Sequence, residues 1–206
     1  MRTSMPRASL KNRVALEKYS QNQIHDQRSP SLVFRVPPIL AARRYVSPRL
    51  RPSSTEEAET RRIAYALKRG EETGFAAKEM VVLLPTELPA LTLVPVPSST
   101  CSIDANRRLC NAIAEEYGPA ARVMPAIKRI IPVESSCSRR RQGMSGLTAA
   151  DHKFVRAGRW VVMPVFLVDN VATTGATLAA ARQVFGFGTG LVFADASPAH
   201  LPVVRS

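Results

Sequence analysis

The chain has 206 residues, 45% of them apolar, and carries a formal net charge of +13. This suits one globular domain with some chain left over. No stretch has the length and apolarity of a membrane-spanning helix, and the three cysteines (Cys101, Cys110, Cys137) form neither a disulfide framework nor a zinc pattern.

The charge is unevenly placed. Residues 1–51 hold eleven Lys or Arg against Glu17 and Asp26, whereas the other 155 residues hold eighteen against fourteen acids. Residues 1–31 are polar and broken by prolines and charges, so they lack the apolar core of a secretory signal. Cytoplasmic residence is the default expectation, with an Arg-rich transit peptide left open. A basic arm of this kind can touch nucleic acid weakly and without sequence preference, or it can be a solvated extension.

Residues 1–53 are therefore expected to be a basic, largely disordered extension, weakly helical over 10–19 and extended over 32–36 before Pro37-Pro38. The folded domain is expected over 54–206. Ser54 and Glu57 have capping-box spacing, and Ile63, Ala66 and Leu67 make one helical face up to Gly70. A second helix is predicted over 75–84, stopped by Pro85.

Residues 91–96 read as a buried strand, followed by a polar loop at 97–102. A helix over 104–117 follows, with Leu109, Ala112, Ile113 and Tyr117 on one side and Gly118-Pro119 at its end. In that pattern Cys110 is a packing residue. Residues 122–124 make a further short strand. Residues 128–159 carry Pro132, Arg139-Arg140-Arg141, Gly143 and Gly146, the composition of a long functional loop.

The richest stretch comes next. Val165 to Val168 suit a strand buried on both faces, Asp169 and Asn170 end it, and a hydroxyl-rich turn spans 171–175. From Thr177 the period changes, and Leu178, Ala181 and Phe185 share a helical face. Gly186, Gly188 and Gly190 mark a turn before a last strand over 191–194. Strands alternating with helices predict an α/β fold with a largely parallel sheet flanked by helices.

A strand, polar turn and helix in such a sheet place the turn at the carboxyl end of a strand, where ligands bind. Backbone N–H groups near a helix start attract phosphate, and Thr173, Thr174 and Thr177 add hydroxyl donors. Asp169, and less well Asn170, can accept sugar hydroxyls. The alternative is an ordinary Thr-rich turn with Asp169 as a helix cap. His25, His152 and His200 show no metal spacing and no nucleophile partner, and read as ordinary histidines.

The run from Val165 to Leu178 resembles the phosphoribosyl pyrophosphate (PRPP) signature of type I phosphoribosyltransferases. Two further stretches are similar to the competence protein F type of that family: Ala66-Leu-Lys-Arg-Gly70, and Val94-Pro-Val-Pro97, where that family's pyrophosphate loop starts. Of its Arg-Gly-Phe-Asn run, Arg108 and Asn111 are kept and the two middle residues are replaced by Leu109 and Cys110. The resemblance spans roughly residues 60 to 196 and leaves out the basic head.

The resemblance implies a type I phosphoribosyltransferase fold. It also implies transfer of a phosphoribosyl group from PRPP to a nitrogen nucleophile, with release of pyrophosphate. Ala172, Thr173, Thr174, Gly175, Ala176 and Thr177 would hold the 5′-phosphate. Ser98, Ser99 and Arg108 would approach pyrophosphate; on their own residues the serines read equally as a plain turn, and Arg108 as a solvated helix charge. Asp169 and Asn170 would meet the ribose, and Arg140, with Arg139 and Arg141 in the same basic loop, would close over the leaving group; on its own residues this run reads first as a solvated face. Mg²⁺ would be bound mainly through PRPP, with no metal site built by the protein.

The family normally has a second acid where this chain has Asn170, which lacks the charge that favours a Mg²⁺–PRPP complex. A protein that senses PRPP or a nucleoside 5′-phosphate without turnover is the competing expectation. A DNA-uptake accessory protein is a third. The expected partners are PRPP or a nucleoside 5′-phosphate and an unidentified nucleophile. No membrane is expected, and a homodimer is compatible with these readings.

Overall fold

A computed structural model describes residues 39–47, 54–134, 138–139, 142–158 and 164–196. The expectations for residues 1–38, including the disordered arm and the extended segment at 32–36, lie outside the described residues, as do Arg140 and Arg141.

Five parallel strands form the main sheet: β1 (Ile39–Arg44), β2 (Leu91–Pro95), β3 (Ala121–Val123), β6 (Val165–Ala172) and β7 (Thr189–Asp195). Their spatial order is β1-β7-β6-β2-β3, which puts β6 in the centre. A second, antiparallel pair joins β4 (Ile127–Arg129) to β5 (Phe154–Arg156). The helices are α1 (Thr55–Lys68), α2 (Thr73–Val81), α3 (Asp104–Tyr117) and α4 (Ala176–Phe185).

Alternation along the strands divides the core in two. Leu91, Leu93, Phe166 and Val168 pack with Ile63 of α1, Met80 of α2 and Leu109 and Ile113 of α3. Val94, Val165, Leu167 and Val192 pack with Leu178, Ala181 and Phe185 of α4, with Ala126, and with Ile127 of β4. Helices therefore cover both faces, and the central strands are apolar on both sides as their sequences predict.

The capping box at Ser54 forms in full: the Glu57 N–H donates to Ser54 Oγ at 3.2 Å, and the Ser54 N–H donates to Glu57 Oε2 at 3.1 Å. The helix over 104–117 has the bounds its apolar period predicts, and buried Cys110 packs within it. Gly188, at φ 120°, passes so close beneath β6 that an added Cβ would lie 3.3 Å from Leu167.

Three expectations are corrected. The predicted domain boundary at 54 leaves out β1, which pairs with β7 from Ile39↔Gly190 to Arg44↔Asp195. Its sequence, Ile-Leu-Ala-Ala-Arg-Arg, is poor in β-branched residues, and as an edge strand it is only partly buried. The second predicted helix starts at Thr73 and stops at Val81, three residues early. The predicted long loop over 128–159 contains most of the antiparallel pair and a short 3₁₀ turn, Ala149–Asp151. Its strands are three residues long, too short to register as a period.

Candidate functional site

The central strand is longer than predicted. β6 continues through Asp169, Asn170 and Val171 to Ala172, so the turn shrinks to Thr173, Thr174 and Gly175. Gly175 stands at φ 73°, ψ 0° at the N-cap of α4 and has no side chain with which to cap it. Any side chain there is disfavoured by the left-handed backbone. Of the first N–H groups of α4, that of Ala176 reaches Thr174 Oγ1 at a long 3.4 Å. The helix start thus offers N–H donors to a ligand.

A cavity lies over this turn. Asp169, Ala172, Thr173, Thr174, Gly175, Ala176 and Thr177 all line it, together with Val171, Leu178, Leu147 and His152. The turn residues singled out in the sequence and Asp169 therefore share one concave surface. Ser98, Ser99, Arg108 and Asn170 are not among its lining residues.

The second loop sits at the carboxyl end of the neighbouring strand. β2 pairs with β6 from Thr92↔Val165 to Pro95↔Val168, which brings residues 97–102 beside Asp169. The loop is closed on itself: the Ser98 N–H donates to the Ser102 carbonyl at 2.8 Å, and the Cys101 N–H donates to that of Ser98 at 3.1 Å. Cys101 adopts φ 69°, an unusual backbone for a residue with a side chain. Ser98 is exposed, with its hydroxyl 2.9 Å from that of Thr100. Ser99 is part-buried, and its carbonyl accepts from the Val133 N–H at 3.0 Å.

Asn106 ties the carboxyl end of β2 to β6. From the first turn of α3 its Nδ2 donates to the Val96 carbonyl at 2.7 Å and to Asp169 Oδ1 at 3.1 Å. Asp169 Oδ1 also accepts the Asn170 N–H at 2.8 Å, so Oδ2 is the oxygen left for a ligand. Asn170 Oδ1 accepts the Val171 N–H at 2.8 Å. Arg108 is exposed and lies over Gly70, where an added Cβ would be 3.0 Å from its Cδ.

Burial pushes the Asp169 carboxyl above its ordinary value. Its hydrogen bonds from Asn106 and Asn170, and the charges of Lys68 and Arg129, pull the other way. Arg129 is buried under the 97–102 loop, with Nη2 3.5 Å from the Pro97 carbonyl and its guanidinium 4.4 Å from the centre of the Phe154 ring. Its Nη1 lies 2.9 Å from His152 Nδ1. Burial, and then the Arg129 charge, lower the His152 pKa to about 4.

The predicted basic loop is described only in part. Arg139 Nε donates to the Ser145 carbonyl at 3.0 Å, and Gln142 Nε2 donates to Glu134 Oε1 at 2.7 Å. The sequence singled out neither Asn106 nor Arg129 as a site residue; it showed Lys68 only within the Ala66–Gly70 stretch, and His152 read as an ordinary histidine.

Among the described residues no three His, Cys, Asp or Glu side chains are grouped to hold a metal, and no helix is long and apolar enough to cross a membrane. No family model and no curated protein matches this chain.

Proposed function

We propose that the protein binds PRPP in a type I phosphoribosyltransferase fold and transfers the phosphoribosyl group to a nitrogen nucleophile. The observation that carries this reading is the shared cavity of Asp169 and the 173–177 turn at the end of the central strand. A sugar phosphate has the matching chemistry, with a dianion for the helix start and vicinal hydroxyls for a carboxylate a few residues upstream. The 97–102 loop follows Val96, which Asn106 ties to Asp169, and this proximity supports a role for the loop towards a second phosphate group on C1′.

In the proposed reaction the bond from C1′ to the pyrophosphate oxygen breaks and its electron pair leaves with pyrophosphate. The nucleophile's nitrogen bonds to C1′ and then loses its proton. Asp169 orients the ribose hydroxyls and the turn fixes the 5′-phosphate, so the sugar is held at both ends. Mg²⁺, when bound with PRPP, would supply charge neutralisation to the departing pyrophosphate. Asp169 Oδ2 is the carboxylate oxygen that would face an ion carried in by its ligand.

A second reading, a sensor that binds without turnover, is favoured by Asn170. Its carboxamide is neutral and its oxygen is already engaged by the Val171 N–H. Calorimetry with PRPP and Mg²⁺, on the natural chain and on Asn170→Asp, separates these outcomes. Added charge is expected to tighten Mg²⁺-dependent binding by roughly tenfold. Tight binding with no pyrophosphate release for any nucleobase or amine selects the sensor; no binding by either protein removes the ligand assignment.

A further inference from the structure

Two polar side chains beside the cavity are almost fully buried and incompletely bonded. Arg129 is 2% exposed and its Nε has no partner; His152 is 7% exposed and its Nε2 has none. Among the described residues no carboxylate forms an ion pair with Arg129. Asp169 stabilises the guanidinium only through its charge, without a direct ion pair, so a buried donor on this cluster stays open to an anion.

The proton on His152 follows from this geometry. A guanidinium has no lone pair to offer, so Arg129 Nη1 donates to Nδ1 across 2.9 Å. Nδ1 is therefore the acceptor, and the neutral ring carries its hydrogen on Nε2. Phe154 stacks on the imidazole with ring centres 5.8 Å apart and limits its rotation. His152 lines the same cavity as the Thr173–Thr177 turn, on the wall built by the segment before β5.

We propose that His152 is a further phosphate-binding residue, whose Nε2–H, oriented and polarised by Arg129, donates to the phosphate ester seated on the 173–177 turn. The ligand is a sugar 5-phosphate: the dianion meets the turn and His152, and its hydroxyls meet Asp169. The inference rests on the proposed reading for the identity of that ligand. It assigns to this cavity a donor from outside the turn, placed by a side chain 23 residues away in sequence. Arg129 is a positioning residue in this arrangement, acting on the ligand through the imidazole.

The test uses the full chain with ribose 5-phosphate as the probe. His152→Asn keeps an acceptor near the Nδ1 position for Arg129 and removes the donor. It is expected to weaken ribose 5-phosphate binding about ten- to a hundredfold. His152→Gln places an amide nitrogen near the Nε2 position and is expected to recover part of that loss. In the natural chain, the ¹⁵N signal of His152 Nε2 is expected to shift on saturation, a readout that a purely structural histidine would not move.

Unchanged affinity in His152→Asn, or an unmoved Nε2 signal, overturns the assignment. PRPP turnover alongside that result would leave the proposed function standing. Ribose 5-phosphate binding that depends on His152, with no reaction from PRPP, would do the reverse. No binding of any sugar phosphate by the natural chain overturns both.

Discussion

Asp169 is set in a conflict between folding and binding. Its carboxyl is pushed up by burial, so at neutral pH the folded chain carries a desolvated charge that the unfolded chain does not. Asp169→Asn keeps an oxygen for the Asn106 and Asn170 donors and discards the charge. The variant is expected to melt at a higher temperature than the natural chain at pH 7. Because the natural folded state binds its proton more readily than the unfolded state, that advantage should shrink as the pH falls through the carboxylate range. The same variant is expected to lose Mg²⁺-dependent PRPP binding, measured by calorimetry; a variant that binds normally would remove Asp169 from the site. Asp169 was legible because it sits in a contiguous motif. Asn106 was not: it meets Asp169 across 63 residues, and only the parallel pairing of β2 with β6 brings them together.

The short antiparallel pair is an element whose stability should depend on pH. It carries Arg129 on β4, while His152 precedes β5, and the pKa of His152 is lowered from 6.5 to about 4 by burial and then by Arg129. The unfolded chain thus binds a proton between those two values that the folded chain refuses. Stability is full above pH 6.5 and is lost as the pH falls towards 4, by about 3 kcal/mol in all. Urea unfolding of the natural chain between pH 7 and 4.5 should show this loss, and His152→Gln should flatten the curve over the same range. Equal slopes in the two proteins would place the acid sensitivity elsewhere. None of this could be read from the sequence, because strands of three residues leave no period and a lone Arg-His pair has no spacing signature. By contrast, α3 was fully legible: 14 residues give its apolar stripe enough turns to stand out.

At the scale of the whole molecule, the sheet must be closed at the β7 edge for β6 to be central, and β1 does this. Arg43 of β1 holds it there. The guanidinium forms a two-pronged ion pair with Glu79 of α2, with Nε 2.6 Å from Oε2, and lies 5.2 Å from the Phe75 ring centre and 5.6 Å from that of Phe193. Part-burial of both partners makes this pair stronger than an exposed one. Arg43→Ala is expected to cost about 1–3 kcal/mol in urea unfolding, and a loss within error would show that the clamp adds nothing. The domain boundary gives the larger test. The sheet begins with Ile39 of β1, ahead of the boundary at 54 that composition and prolines indicated. A fragment spanning 34–206 should unfold cooperatively, whereas one spanning 54–206 bares the backbone of β7 and should aggregate or lose its sharp transition. Equal cooperativity in the two would mean that β1 is dispensable. The sequence concealed this strand because a parallel edge strand gains its place from a partner about 150 residues later in the chain, and local composition carries no trace of that partner.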